Sequence, residues 1–115
     1  MQAFNEGLVL SAKGGVDPAL MLEILANSAA RSGLIEFKAP YILDRNFKPL
    51  FSLKWMHKDI CLMLESGREL DVPLPLTGLT QQLFRAAIAK GYGDDDFCST
   101  IKLLEEWAGI EIKKA

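Results

Sequence analysis

Residues 52–75 read SLKWMHKDICLMLESGRELDVPLP, and the pattern of this stretch decides the fold. No proline interrupts it from Ser52 to Leu70, so a long helix is predicted there. Pro73 and Pro75 stop it, because neither can continue the backbone ladder. On a wheel with Leu53 at zero and about 100° per residue, His57, Arg68, Cys61, Lys54, Glu65, Lys58 and Glu69 fall between about 40° and 160°. That arc is polar and is expected to face water. Leu62, Trp55, Leu70, Met63, Met56, Ile60, Leu53 and Leu64 sweep from about 180° round to about 20°, the arc expected to face a core. Asp59 falls inside the apolar arc, at about 240°. A carboxylate there costs free energy unless a partner or a polar cleft receives it. Two readings stay open. The acid pairs with a basic residue of another helix or with backbone near residues 44–49, or its face opens on a functional cleft, with Lys58 on the same shoulder.

Similar punctuation bounds five more helices. The first runs from near the start to Lys13 and stops at Gly14 and Gly15, with Asn5 either capping it or lying inside a longer helix. Asp17 caps the second and Pro18 takes its first position, where a missing N–H costs nothing. A short third helix fills Ser32 to Ala39 and ends at Pro40, and residues 44–49 form a turn. The fifth covers Thr77 to Lys90, with Gly91 as its stop. Asp94, Asp95 and Asp96 cap the sixth, which carries Phe97, Ile101, Leu104 and Trp107 and ends at Gly109. Ile110 to Ala115 read as a frayed tail. Strict alternation appears only over 110–113, too short for a strand of consequence. The expectation is an all-α fold, a single multi-helix bundle of about six helices over residues 1–109, with 110–115 as a tail.

Composition narrows the function classes. With 115 residues, half of them hydrophobic, the chain can bury a real core, so disorder is disfavoured. A net charge of −2 offers no field for a phosphate backbone, and Lys54 and Lys58 are offset by Glu65 and Glu69, so a helix-turn-helix reader of nucleic acid is not expected. No apolar run is long enough for a membrane span. The start, Met1 to Glu6, lacks the pattern of a signal peptide. Cys61 and Cys98 are far apart and lie outside any CxxC spacing, so both are expected as reduced thiols in a cytoplasm-like compartment, or a mitochondrial matrix in a eukaryote. No glycine pattern forms a phosphate cradle, and His57, the only histidine, stands near no nucleophile motif. One histidine and two separated cysteines predict no metal site. His57 reads as an ordinary polar-face residue, and the three aspartates as caps.

Four short stretches carry a family resemblance. They are Phe47-Lys48-Pro49-Leu50-Phe51 followed by Lys58-Asp59-Ile60, Ala3 to Leu8 with Gly15 and Asp17, Val72 to Pro75, and Gly91-Tyr92-Gly93-Asp94 with Asp96 and Phe97. In this order they resemble the C-terminal domain of the β-hydroxyacid dehydrogenases, which is like that of 6-phosphogluconate dehydrogenase. The group includes 3-hydroxyisobutyrate dehydrogenase, tartronate semialdehyde reductase, and the glyoxylate and succinic semialdehyde reductases. The resemblance implies that Lys58 reaches an NAD or NADP cofactor, and that Phe51 and Asp59 line a substrate cleft. It implies no catalytic residue in this chain: the family's lysine lies on an interdomain helix upstream of the position matching Met1. The chain is therefore expected to begin partway along that helix, without the N-terminal Rossmann domain.

On this reading the intact enzyme interconverts a small hydroxyacid and its semialdehyde. The present chain would be inactive alone, would hold no cofactor, and would pair with its Rossmann half and with further copies of itself. A stand-alone helical dimerisation or interaction module is the competing reading.

Overall fold

The computed structural model describes all residues from Met1 to Ala115. Its elements are α1 (Gln2–Lys13), α2 (Pro18–Ala26), α3 (Gly33–Leu43), α4 (Leu53–Glu69), α5 (Pro75–Ala89), a 3-10 turn at Phe97–Thr100 and α6 (Ile101–Ala108). There is no sheet; the one isolated bridge joins Ser52 and Asp96. The all-α expectation holds. No helix is long and apolar enough to cross a membrane. The contacts divide the chain into two units, residues 1–47 with 101–115, and residues 48–100.

In the first unit the helix boundaries follow local chemistry. Asp17 accepts the Leu20 N–H at 3.0 Å with Pro18 beside it, and the Ser32 hydroxyl accepts the Ile35 N–H at 3.1 Å. Gly15 takes a φ of 90°, which lets the chain leave α1 without a Cβ penalty. The core combines Phe4 and Leu8 of α1, Ala39, Ile42 and Leu43 of α3, and Ile101 and Leu103 of α6.

One open reading is decided here and two expectations change. Asn5 does not cap α1; it lies inside the helix, fully buried, with its N–H bonded to the Met1 carbonyl. The third helix does not stop at Pro40 but runs on to Leu43. Proline removes one ladder bond, yet the next turn carries Ile42 and Leu43 into the core, and their burial outweighs the lost bond. Residues 110–115 are not frayed. They are non-helical, but Ile112 is completely buried, its N–H reaches Glu105 Oε1 at 2.7 Å, and the Lys114 N–H reaches the Leu43 carbonyl at 3.1 Å.

Glu105 is the staple of this unit. Its buried carboxylate accepts from both the Ile112 N–H and Arg45 Nη1, while the same Arg45 nitrogen donates to the Ile112 carbonyl at 3.2 Å. Arg45 itself adopts a φ of 55°, an arrangement that costs backbone energy and is held by these bonds. Removing one partner of a buried pair strands the other, so Glu105→Ala is expected to cost about 3 kcal/mol. Glu111→Ala, at an exposed site, should change almost nothing. Urea denaturation of both variants checks this; equal midpoints would refute the assignment.

In the second unit α4 and α5 pack along Leu53, Ile60 and Gly67 on one side and Phe84 and Ala87 on the other. Gly67 is required by a close approach, since a Cβ there would lie 2.7 Å from Leu74 Cδ1 and 3.1 Å from the Val72 carbonyl oxygen. That contact lets the chain return sharply after Asp71, whose φ is 55°. The break at residues 71–74 is as expected, and α5 starts at Pro75 rather than Thr77, proline again taking a first-turn position.

Candidate functional site

The site begins at the entry to α4. Ser52, at the cap position, makes no side-chain cap bond. Instead the first free N–H groups of the helix are taken by another loop: Leu53 donates to the Asp95 carbonyl at 2.8 Å and Lys54 to the Gly93 carbonyl at 3.0 Å. The buried Asp96 carboxylate completes the clamp. Its Oδ2 accepts from Leu50 and Phe51 N–H at 3.0 and 3.2 Å, and its Oδ1 accepts from Cys98 N–H at 3.1 Å. The sequence predicted Asp96 as a helix cap. It does cap, but over a 3-10 turn at Phe97–Thr100, and its second oxygen fixes the turn that presents Phe51. That positioning role was missed. The only signal for it was its place in the Gly91 to Phe97 motif.

Along α4 the wheel needs correction. Only Leu53, Ile60 and Gly67 are buried, while Trp55, Leu62, Met63 and Leu70 are each more than half exposed. His57 and Cys61, expected in water, are partly covered, and Gln81 Nε2 of α5 lies 3.5 Å from the Cys61 sulfur. The reason is the placement of α5, whose Gln81 lies against Cys61. That packing covers the shoulder that carries His57 and Cys61 and leaves half of the apolar arc open. Both cysteines are free thiols.

Asp59 lies on this uncovered stripe. Its side chain is 47% exposed and Lys58 Nζ sits 3.3 Å from Oδ1, so water solvates the acid and its position costs little. The oddity passes to its neighbours, for it is Trp55, Leu62 and Met63 that lack cover. Lys58 Nζ also lies 5.4 Å from the centre of the Trp55 ring, within cation–π range. Lys58 and Asp59 are thus brought together, and Phe51, 38% exposed, stands at the turn leading into the same helix. An ammonium, a carboxylate and three apolar side chains on one open face can bind an anionic, partly apolar ligand and exclude water from it.

His57 is perturbed, on the packed shoulder of the helix. Burial lowers its pKa from the usual imidazole value, and the Arg85 charge lowers it further. The unfolded chain therefore binds this proton more readily, and stability falls as pH drops below about 7 through 6.5 toward the lowered folded value. The same loss should be smaller in His57→Gln, measured by thermal melts across that window; identical pH profiles would refute it. By contrast, Asp59→Leu should shift stability by less than about 0.5 kcal/mol, because no buried partner is lost. A drop of several kcal/mol in urea melts would mean that the acid is structural.

The family model for the "NAD-binding of NADP-dependent 3-hydroxyisobutyrate dehydrogenase" matches residues 1–104, and the chain belongs to this family. It is 37% identical over 113 residues to 2-(hydroxymethyl)glutarate dehydrogenase of Eubacterium barkeri, covering 97% of this chain and 38% of that protein. It is 34% identical over 105 residues to glyoxylate/succinic semialdehyde reductase 1 of Arabidopsis thaliana, covering 91% and 36%. A crystal structure of 3-hydroxyisobutyrate dehydrogenase from Salmonella typhimurium superposes with a TM-score of 0.84 at 26% identity, covering 89% of this chain and 36% of that one. The chain spans little more than a third of the length of these proteins.

Proposed function

We propose that this domain forms one wall of the substrate and cofactor cleft of an NAD(P)-dependent oxidoreductase that interconverts a short β-hydroxyacid and its semialdehyde. The observation that carries the reading is the uncovered stripe of α4, where Lys58 and Asp59 stand among exposed apolar side chains. The stripe suits a nicotinamide nucleotide and a hydroxyacid: the half-exposed Lys58 ammonium can pair with an anionic group, and it is not locked into a buried ion pair. A bound nicotinamide would supply the hydride acceptor or donor.

The roles of the chain's own residues follow from their placement. Lys58 binds the cofactor electrostatically, with the Trp55 ring steadying its ammonium. Asp59 accepts a hydrogen bond from a substrate or cofactor hydroxyl. Phe51, held by Asp96, covers the reacting groups and excludes water. The general acid–base lysine of the family, and the Rossmann half, belong to another part of the full-length enzyme, and the domain also contributes to a homo-oligomer. Alone, the chain is inactive.

The reading is tested by purifying the chain and mixing it with NADPH and glyoxylate or succinic semialdehyde, where no turnover is expected. An enzyme in which this chain follows a Rossmann half should turn over. In that enzyme Lys58→Ala should raise the KM for cofactor, and Asp59→Asn should lower kcat/KM, each by about tenfold or more. Turnover by the chain alone, or full activity in both variants, would overturn it.

A further inference from the structure

On the packed shoulder of α4, one turn of helix sets two metal-ligating side chains over each other. His57 and Cys61 are four residues apart, so both leave the same face. The sulfur lies 3.9 Å from Nδ1 and 3.8 Å from Nε2 of the ring, and a turn of the imidazole aims one nitrogen at an ion shared with the sulfur. Bonds of about 2.3 Å to sulfur and about 2.0 Å to nitrogen span a gap of 3.8 Å at an angle of about 125° at the ion. That angle is wide for a tetrahedral centre and close to trigonal. Both residues are only partly covered, so an ion reaches them from water.

Neighbours prepare the pair. Gln81 Nε2 of α5 lies 3.5 Å from the sulfur, and Gln81 Oε1 accepts from Gln82 Nε2 at 3.2 Å, which turns the amide donor toward Cys61. A contact of this kind, from outside the ligand pair, orients the sulfur. Burial and the Arg85 charge favour the neutral form of His57, the form in which imidazole ligates. Ligand count and charge then choose the ion. No group of three or more His, Cys, Asp and Glu side chains could hold a metal, so the four ligands of a structural zinc site are absent. Two ligands, one of them a soft thiolate, suit a soft monovalent ion that accepts low coordination. The single thiolate neutralises a single positive charge, and the Arg85 charge acting on the same ring penalises a larger one.

We propose that His57 and Cys61 form a site for copper(I), with Gln81 as the positioning residue on the sulfur. Binding forms one metal–sulfur and one metal–nitrogen bond and releases the thiol proton to water. No electron moves, and the third position is left to solvent. The site faces α5 rather than the open stripe, goes beyond the proposed function and is independent of the reaction assigned there, so either can fail without the other.

Anaerobic titration of the purified chain with copper(I), in competition with a colorimetric copper(I) chelator, tests it. One ion per chain is expected, and X-ray absorption should show one sulfur and one imidazole nitrogen at the metal. Cys61→Ser should abolish binding. His57→Ala should weaken it by about 30-fold or more and Gln81→Leu by about tenfold, with the circular dichroism of the helices retained. Cys98→Ser removes a completely buried thiol and should leave binding unchanged. Silver(I), which undergoes no redox change, should depend on the same two residues. Half an ion per chain, a His57→Ala variant that binds as tightly as the parent, or binding that follows Cys98 rather than Cys61 would each overturn the proposal.

Discussion

The carboxylate of Asp96 is the constraint on which the second unit turns. It is 2% exposed, and burying a charge so deeply is tolerable only because backbone N–H groups from both sides of the loop pairing converge on it. One oxygen holds the turn at Leu50 and Phe51; the other starts the 3-10 turn at Phe97. The Gly93 and Asp95 carbonyls complete the joint by accepting the first N–H groups of α4. A helix whose own cap residue gives no side-chain bond is thus capped from elsewhere in the chain. Residues 40 positions apart become one rigid corner, and the direction of α4 is set there.

That direction decides what the long helix can do. Its packed stripe runs through Leu53, Ile60 and Gly67, and the glycine brings residues 72–74 close enough to shut the end of the unit. A helix with so many apolar residues can cover only one stripe with a single partner such as α5. The remainder, Trp55, Leu62 and Met63, stays open with Lys58 and Asp59 among it.

The first unit is held by different means. Arg45, Glu105 and Ile112 form a small network in which a buried acid satisfies a cation and a backbone N–H together. The network draws the last residues of the chain onto α3 and α6, and the Lys114 ammonium pairs with Asp44 just beyond. Lys13, near the end of α1, donates to the Ala108 carbonyl at the end of α6 at 2.7 Å, so these two helices also meet through a fixed polar contact.

What the sequence by itself determined was local. The Asp17 cap, the proline and glycine breaks, and the helical spacing of apolar residues set six helices and the absence of a sheet, because each depends on neighbours within a turn or two. The family resemblance pointed to Phe51, Lys58 and Asp59 as candidates. Tertiary structure decided the rest. Pro40 stays inside a helix because Ile42 and Leu43 have a core to enter, and the last residues are ordered because Glu105 lies within reach of Ile112. The wheel separated polar from apolar residues on α4, yet it could not say which apolar ones find a partner. That choice belongs to α5, and it is what leaves Asp59 in water on an apolar stripe rather than buried in a core. Periodicity is a property of one segment, and burial is a property of the segments that meet it.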